Sequence, residues 1–286
     1  MTQPLRIGTR GSPLALAQAQ MVAAALHASC GVETEIVPIT TTGDVIQDRA
    51  LAEVGGKALW TKELDRALAD GRTDFSVHSM KDVETLRPDA LVIAAMLERA
   101  DTRDRLIGAD SIAALPEGAR VGTSSPRRTA QLLARRPDLR CAIIRGNVQT
   151  RLARIEAGAF DATLLAAAGL DRLGLDLGAP LDLLPAPAQG AIGVEILAER
   201  GDLRRLLERI DHRPTHEAVN AERAFLAALG GNCHSAVAAL ATGGVVQAEI
   251  LSADGREVHA GEGEPAELAR RLLEAASPAL RASFAP

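Results

Sequence analysis

Short apolar or β-branched runs alternate with longer helical patterns along most of the chain, and this alternation constrains the fold more than any other feature. The strand-like runs are LRIGT, VETEIVPIT, TDFSVHSM, LVIAAML, RVGTS, CAIIRG, FDATLLAAAG and AIGVEIL, and helical patterns follow most of them. Parallel strands need long crossover connections, which helices usually supply. The sequence therefore predicts an α/β fold with mainly parallel sheets.

The pattern changes after about residue 212. A helical pattern over roughly 215–229 leads into the turn GGNCH, two strand-like runs and a closing helix that begins at Pro265. Strands and helices are segregated there instead of alternating, which is typical of α+β structure. We therefore predict a smaller C-terminal α+β domain.

Two segments about a hundred residues apart share the same order of residues. RIGTRGSP at 6–13 and RVGTSSP at 120–126 each read as a strand, a Gly-Thr pair and a Ser-Pro helix start. Chance can produce so short a match, and a structural repeat is the other explanation. A repeat would give two similar α/β domains, each with a helix N-terminus at the carboxyl end of a strand, where open sheets bind ligands and free N–H groups favour anions.

Composition argues against several classes of function. The net charge is −5, aromatic residues make up 2% of the chain and there is no tyrosine, which disfavours binding to nucleic acid or to an anionic membrane. No segment approaches the roughly 18 apolar residues of a spanning helix. The three cysteines form no CxxC pair, which argues against a disulfide framework or a structural zinc site. We expect a cytoplasmic protein.

Arginines are concentrated between residues 120 and 154. This window holds nine arginines, no lysine and one acidic residue, and guanidinium groups suit bidentate recognition of carboxylate or phosphate. A solvated basic face is the simpler interpretation for Arg135, Arg136 and Arg140. The other candidates lie at strand-to-helix junctions, where their side chains can converge on a sheet edge: Arg127, Arg128, Arg145 and Arg151. Because arginines at a helix start oppose the helix dipole, we expect an acidic ligand with several carboxylates there.

Three further positions are candidates for chemistry. Lys81 and Asp82 follow the strand TDFSV, so they are expected at its carboxyl end, one to bind an anion and the other to move a proton; an ordinary surface pair is the alternative. His78 is expected to pack or to form a local hydrogen bond. Cys233 follows a glycine pair and is the candidate nucleophile, with a structural cysteine in a turn as the alternative. The glycine-punctuated stretch over 41–60 is expected to be a lid or a disordered segment.

Motifs throughout the chain resemble one known family. RIGTRGSPLALAQAQ, TTGD, VGGKALWTKEL, VHSMKDV, VGTSSPRR, RGNVQTRL, AAAGLDRLG, PAQGAIGVE and AERAFLAALGGNC occur here in the order and spacing of the porphobilinogen deaminase family. The resemblance implies two periplasmic-binding-protein-like domains with mainly parallel sheets flanking a cleft, plus a small C-terminal α+β domain. Their expected limits are 1–98 with 190–211, then 99–189, then 212–286, with a lid loop at 42–58.

The resemblance also implies an activity. The family's transferases join four porphobilinogen molecules head to tail onto a covalently bound dipyrromethane cofactor and release hydroxymethylbilane, an early step of tetrapyrrole (haem, chlorophyll and cobalamin) biosynthesis. Cys233 matches the residue that carries the cofactor through a thioether, and Asp82 matches the catalytic aspartate. The residues that match cofactor-binding positions are Lys81, Ser125, Arg127, Arg128 and Arg151. Those that match substrate-binding positions are Arg10, Ser12, Gln18, Arg145 and Arg172.

Some residues depart from the family's pattern. Asn232 precedes the thiol, Ala236 stands where proline is usual, and Glu53 occupies a lid position that is lysine in some relatives. None of them removes a group that the chemistry requires. The expected partner is therefore porphobilinogen, with no metal, nucleic acid or membrane, and the expected state is a monomer. A non-catalytic carboxylate sensor on the same scaffold, in which Cys233 has no chemical role, is the alternative.

Overall fold

The computed structural model describes residues 3–41, 61–231 and 235–284. The chain divides into two compact units, the first comprising residues 3–41, 61–100 and 190–217 of the described chain and the second the remainder. Each unit contains a five-stranded sheet, and the second also contains a three-stranded sheet. The division into three domains drawn from the family resemblance stays a prediction.

The first unit is an α/β layer built on one mixed sheet. Its elements are β1 (Leu5–Arg10), α1 (Pro13–Cys30), β2 (Thr34–Ile39), α2 (Lys62–Ala69), β3 (Phe75–Ser79), a 3₁₀ turn (Met80–Asp82), β4 (Leu91–Met96), β10 (Ile192–Leu197) and α6 (Gly201–Leu207). The strand order is β2-β1-β3-β10-β4. Since β10 alone is antiparallel to its neighbours, four of the five strands run in the same direction.

Helix α1 begins and ends at residues that favour helix termini, and one of its faces is buried. Ser12 caps it by accepting a hydrogen bond from the Ala15 N–H at 3.3 Å, and Pro13 supplies the preset first residue. Gly31 ends it in the left-handed conformation, with φ of 64°. Its buried residues, Gln18, Ala19, Val22 and Leu26, form one face of the helix. This face packs α1 against the sheet's apolar core.

The second unit contains a sheet with the same plan. Its elements are β5 (Asp104–Ile107), β6 (Arg120–Gly122), α3 (Pro126–Arg135), β7 (Arg140–Ala142), α4 (Val148–Glu156), β8 (Ala162–Ala166), α5 (Ala167–Arg172) and β9 (Ala179–Leu181). The strand order is β7-β6-β8-β5-β9, with β6 parallel to both neighbours and β5 antiparallel to both of its own. Four of its five strands therefore also share one direction.

The sequence echo corresponds to a structural repeat. The series β1-α1-β2-β3 has the same connections and strand positions as β6-α3-β7-β8. In both copies the serine before the proline caps the helix: Ser125 accepts from the Arg128 N–H at 3.4 Å, as Ser12 does in α1. The predictions of a repeat and of mainly parallel α/β sheets are confirmed.

The C-terminal part of the second unit is α+β, as predicted. It consists of α7 (Arg213–Ala228), which spans the boundary of the units, β11 (Val237–Thr242), β12 (Val245–Leu251), β13 (Val258–Gly263), α8 (Pro265–Ala275) and α9 (Pro278–Ala282). The antiparallel sheet β11-β12-β13 and the helices bury one apolar cluster that includes Phe225 and Leu268. Ala130 of α3 packs against Leu251 in a second small cluster.

Several short elements were not predicted from the sequence: β5, β9, β11, α6 and α9. Strand β11 reads VAALAT, and its alanines carry little strand propensity. None of the described helices has the long apolar stretch that a membrane span requires.

Candidate active site

One pocket of the first unit brings together four of the residues predicted for the site. It is lined by Arg10, Ser12 and Gln18, from the end of β1 and the start of α1, and by Asp82, from the 3₁₀ turn after β3. Its other lining residues are Leu14, Ala15, Thr61, Val77, His78, Ser79 and Val83. Because β1 and β3 are adjacent and parallel, their carboxyl ends meet at one edge of the sheet, where open α/β folds bind ligands.

One side of this pocket favours anions. The start of α1 contributes Ser12, Leu14 and Ala15 to the lining, and the N-terminal N–H groups of a helix carry partial positive charge. Arg10 adds a full positive charge beside them. A carboxylate fits this side of the pocket.

The opposite charge comes from Asp82. Its side chain is exposed at the end of the 3₁₀ turn that follows β3, while Val83 is buried and anchors the turn. Lys81, its predicted partner in chemistry, is half-buried in the same turn. The pocket therefore offers a cationic side and a carboxylate to the same ligand.

Gln18 is fixed by the sheet. Its side chain is buried on α1, and its Nε2 donates to Ser79 Oγ at the end of β3, at 2.8 Å. This hydrogen bond ties the start of α1 to the strand that carries the 3₁₀ turn.

A buried ionic network lies next to the pocket and was not predicted from the sequence. Glu195 on β10 is fully buried; it accepts hydrogen bonds from Arg87 Nε at 2.8 Å and from His78 Nε2 at 3.0 Å. Arg87 also donates to Glu84 and to Asp65, each at 2.6 Å. His78 forms a hydrogen bond, as expected, but its partner is 117 positions away in the sequence.

The network keeps Glu195 ionised. Burial alone would raise the pKa of Glu195, but hydrogen bonds and charge from His78 and Arg87 outweigh burial and lower the pKa to about 2. An ionised acceptor at Glu195 fixes the proton of His78 on Nε2. His78 is thereby held in one orientation where it lines the pocket.

In the second unit, the arginines at the start of α3 meet an anion that the protein itself supplies. Asp104, the first residue of β5, is fully buried. Its Oδ2 accepts from Arg127 Nη2 at 2.8 Å, and its Oδ1 accepts from Arg128 Nη2 at 2.7 Å. The two guanidinium groups hold the pKa of Asp104 well below its usual range despite the opposing effect of burial.

Asp104 was missed because its position gives no local signal. It lies 23 residues before Arg127, at the start of a short strand that was itself not predicted. The expectation that an external ligand supplies the negative charge beside these arginines is therefore incomplete, since an internal carboxylate already neutralises part of it. Whether Arg127, Arg128 and Ser125 also hold a cofactor stays a prediction.

The sequence predicted a solvated face for Arg136 and site roles for Arg151 and Arg172, and the structure describes the contacts of all three. Arg136 is half-buried, so a solvated face does not describe it: it pairs with Asp138 at 2.8 Å and donates to the Ile112 and Leu115 carbonyls at 3.0 and 3.2 Å. Arg151 is half-buried on α4 and donates from Nε to the Gly146 carbonyl at 2.9 Å, next to Arg145. Arg172 ends α5, where burial lowers its pKa to about 10. These contacts do not test the cofactor-binding role predicted for Arg151 or the substrate-binding role predicted for Arg172, and both stay predictions.

Some predicted positions lie outside the described residues. They are the attachment residue Cys233 with its neighbour Asn232, the lid loop at 42–58 and Glu53 within it. Among the residues that are described, no group of three or more His, Cys, Asp or Glu could hold a metal ion.

Comparison with known proteins establishes the family. Residues 5–205 match the family model described as "Porphobilinogen deaminase, dipyromethane cofactor binding domain". The chain is 58% identical to a porphobilinogen deaminase from Sphingopyxis alaskensis, over 99% of this chain and 97% of that protein. It is 51% identical to one from Xanthomonas oryzae pv. oryzae, over 90% and 88% of the two chains. The chain belongs to the porphobilinogen deaminase family, as its motifs predicted.

The comparisons also concern the predicted activity and the predicted fold. The prediction of a transferase of tetrapyrrole biosynthesis is confirmed, and the alternative of a non-catalytic sensor is not favoured. Among solved structures, the chain is similar to a periplasmic substrate-binding protein from Coxiella burnetii, with a TM-score of 0.46 and 15% identity over 77% of this chain and 95% of that one. At that score the likeness is loose, and the fold is established by the strand order described above.

Proposed function

We propose that the chain condenses porphobilinogen molecules head to tail, with Asp82 as the catalytic residue and Arg10, Ser12 and Gln18 as the residues that hold the incoming substrate. The observation that carries this proposal is a single pocket that is lined by a carboxylate, an arginine and a helix N-terminus. Porphobilinogen has the complementary groups, because it carries two carboxylates and an aminomethyl group that is cationic at neutral pH.

Each group has a distinct task in this proposal. Arg10, the Ser12 hydroxyl and the N–H groups at the start of α1 bind the substrate's carboxylates and orient its ring. Asp82 faces the cationic end: its carboxylate stabilises positive charge on the pyrrole as ammonia leaves, accepts a hydrogen bond from the ring N–H, and removes the proton lost when the new carbon–carbon bond forms.

The residues of the second unit fit an acidic cofactor. Arg127 and Arg128 share one directly bonded carboxylate, that of Asp104, so this buried cluster of three side chains has an excess of positive charge. The buried Arg127 Nε has no hydrogen-bond partner among the described residues. We propose that Arg127 and Arg128 hold its carboxylates, together with three further residues: Lys81, Ser125 and Arg151. A dipyrromethane bound there, attached through a thioether to Cys233, supplies the free pyrrole carbon to which the first substrate is joined.

We propose that Arg145 and Arg172 also bind the substrate. Both are half-buried arginines of the second unit, on the loop before α4 and at the end of α5. Arginine suits substrates that carry two carboxylates per ring because its guanidinium binds them in a bidentate manner. We also propose that the protein is a cytoplasmic monomer that binds porphobilinogen and binds neither nucleic acid nor a membrane. Light scattering with size-exclusion chromatography tests whether it is a monomer.

The test compares Asp82→Asn with the wild-type protein. Purified protein is incubated with porphobilinogen, and substrate consumption and ammonia release are followed. Asp82→Asn is expected to lower turnover by about 100-fold or more, because a neutral amide can neither stabilise the cation nor accept the proton. The bound dipyrromethane cofactor is expected to remain in the variant.

Asp89→Asn is the matched control. Asp89 is an exposed aspartate seven residues further along, before β4, and the same chemical change there is expected to leave turnover at the wild-type level. Wild-type protein that consumes no porphobilinogen would exclude the proposed reaction. Full turnover in Asp82→Asn would exclude the role of Asp82 alone.

A further inference from the structure

Asp104 is the point at which both arginines of the α3 start are fixed. Arg128 binds it through two nitrogens, Nη2 to Oδ1 at 2.7 Å and Nε to Oδ2 at 3.2 Å, and Arg127 binds Oδ2 from the other side at 2.8 Å. Gln189 Nε2 donates to Oδ1 at 2.8 Å and to the Thr102 carbonyl at 2.7 Å. A carboxylate with four donors around it has a single orientation, and it imposes an orientation on both guanidinium groups.

The other partners of these guanidinium groups are neutral. Arg127 Nη1 donates to Gln131 Oε1 at 2.8 Å and to the Leu184 carbonyl at 3.0 Å, and Arg128 Nη1 donates to the Leu164 carbonyl at 2.8 Å. The next carboxylate, that of Glu249, is reached through the Gln131 amide, at 3.1 Å from Nε2. The buried cluster therefore contains two cations and one directly bonded anion.

A cluster that served stability alone would be expected to balance its charges, since a buried unpaired charge is costly. Here both arginines are almost fully buried, at 3% and 6% exposure, and Arg127 Nε has no hydrogen-bond partner in the described part of the chain. The excess positive charge and the unused donor are both features of a site prepared for an acidic ligand.

We propose that Asp104 is a positioning residue for cofactor binding, which orients the Arg127 and Arg128 guanidinium groups toward the carboxylates of the dipyrromethane. The inference rests on the proposed function, which assigns those two arginines to the cofactor. Asp104 itself acts through the arginines and touches neither cofactor nor substrate.

The experiment measures how many folded chains carry the cofactor. Wild-type protein and Asp104→Asn are purified as soluble monodisperse protein, their folding is checked by circular dichroism, and the fraction of chains heavier than the sequence mass is read by intact mass spectrometry under denaturing conditions. Asparagine keeps the shape but presents an amide N–H₂ to a guanidinium, so the loaded fraction is expected to fall by about tenfold or more. Loss of stability alone would lower the yield of folded protein but leave its loaded fraction unchanged.

Two further variants keep the result decisive. Asp138→Asn removes an exposed carboxylate that pairs with Arg136, and its loaded fraction is expected to equal that of wild type. Gln189→Leu retains all three charges and removes one donor to Asp104, so it folds more readily than Asp104→Asn; its loaded fraction is expected to fall by about twofold or more.

The outcomes separate the two claims. Folded Asp104→Asn or Gln189→Leu with the wild-type loaded fraction would overturn the positioning role and leave the proposed function intact. Wild-type protein at its sequence mass would overturn the proposed function, and the positioning role with it. A fall in both variants but not in Asp138→Asn supports the proposal.

Discussion

Replacing Glu195 by glutamine is expected to lower the free energy of unfolding by about 3 kcal/mol at pH 7. The carboxylate is fully buried, and its partners lower its pKa from an ordinary 4.5 to about 2. Each unit of pKa shift corresponds to about 1.4 kcal/mol, so the ionised carboxylate contributes this much to the folded state at neutral pH. Glutamine has nearly the same shape but cannot carry the charge that faces Arg87 and His78.

The pH dependence of this effect follows from the direction of the shift. Because the pKa of Glu195 is lower in the folded than in the unfolded state, its contribution is complete above about pH 4.5 and is lost as the pH falls toward about 2. The difference in stability between wild type and Glu195→Gln is therefore expected to be constant near neutrality and to shrink below pH 4.5.

Urea unfolding followed by circular dichroism, at pH values from 7 down to 3.5, measures this difference. The control is Glu217→Gln, which breaks the exposed pair with Arg213 on α7 and is expected to cost less than about 0.5 kcal/mol. Wild-type stability for Glu195→Gln at pH 7, or a difference that grows on acidification, would refute the reasoning.

Two other expectations concern packing and thiol reactivity. Gly255→Ala is expected to destabilise the protein by at least about 1 kcal/mol more than Gly158→Ala, because both glycines have positive φ but only at Gly255 would a Cβ collide with the Ala130 backbone oxygen. Paired thermal unfolding scans measure the two losses of stability, and equal losses would contradict the close packing on α3. Burial raises the pKa of Cys141 to about 11, so iodoacetamide is expected to alkylate this thiol slowly at pH 8 and much faster in urea. Peptide mapping measures the two alkylation rates, and equal rates in the folded and unfolded chain would disprove the burial argument.

The parts of the fold that follow from local rules could be predicted. The Ser-Pro helix starts at Ser12 and Ser125 are caps with short-range hydrogen bonds, and the strands next to them are apolar runs, so the repeat was visible in the sequence. Strand β5 was not, because four residues that begin with a buried aspartate have no strand pattern. Strand β11 is rich in alanine and is defined by its pairing with β12.

The candidate site divides in the same way. Asp82 was a candidate because it lies three residues after the end of a strand, and the carboxyl end of a strand is a place where ligands bind. Asp104 and Glu195 were missed because their partners are distant in sequence: Glu195 binds His78 across 117 positions. Such buried carboxylates are recognised only when the fold brings the strands together.

The most direct test of the whole account weighs the intact protein. Wild-type chain, purified without added substrate and denatured before mass spectrometry, is expected to exceed its sequence mass by one dipyrromethane unit, whereas Cys233→Ser is expected to have its sequence mass and to give no colour with Ehrlich's reagent. A wild-type chain at its sequence mass, or a Cys233→Ser chain that keeps the extra mass, would contradict the account.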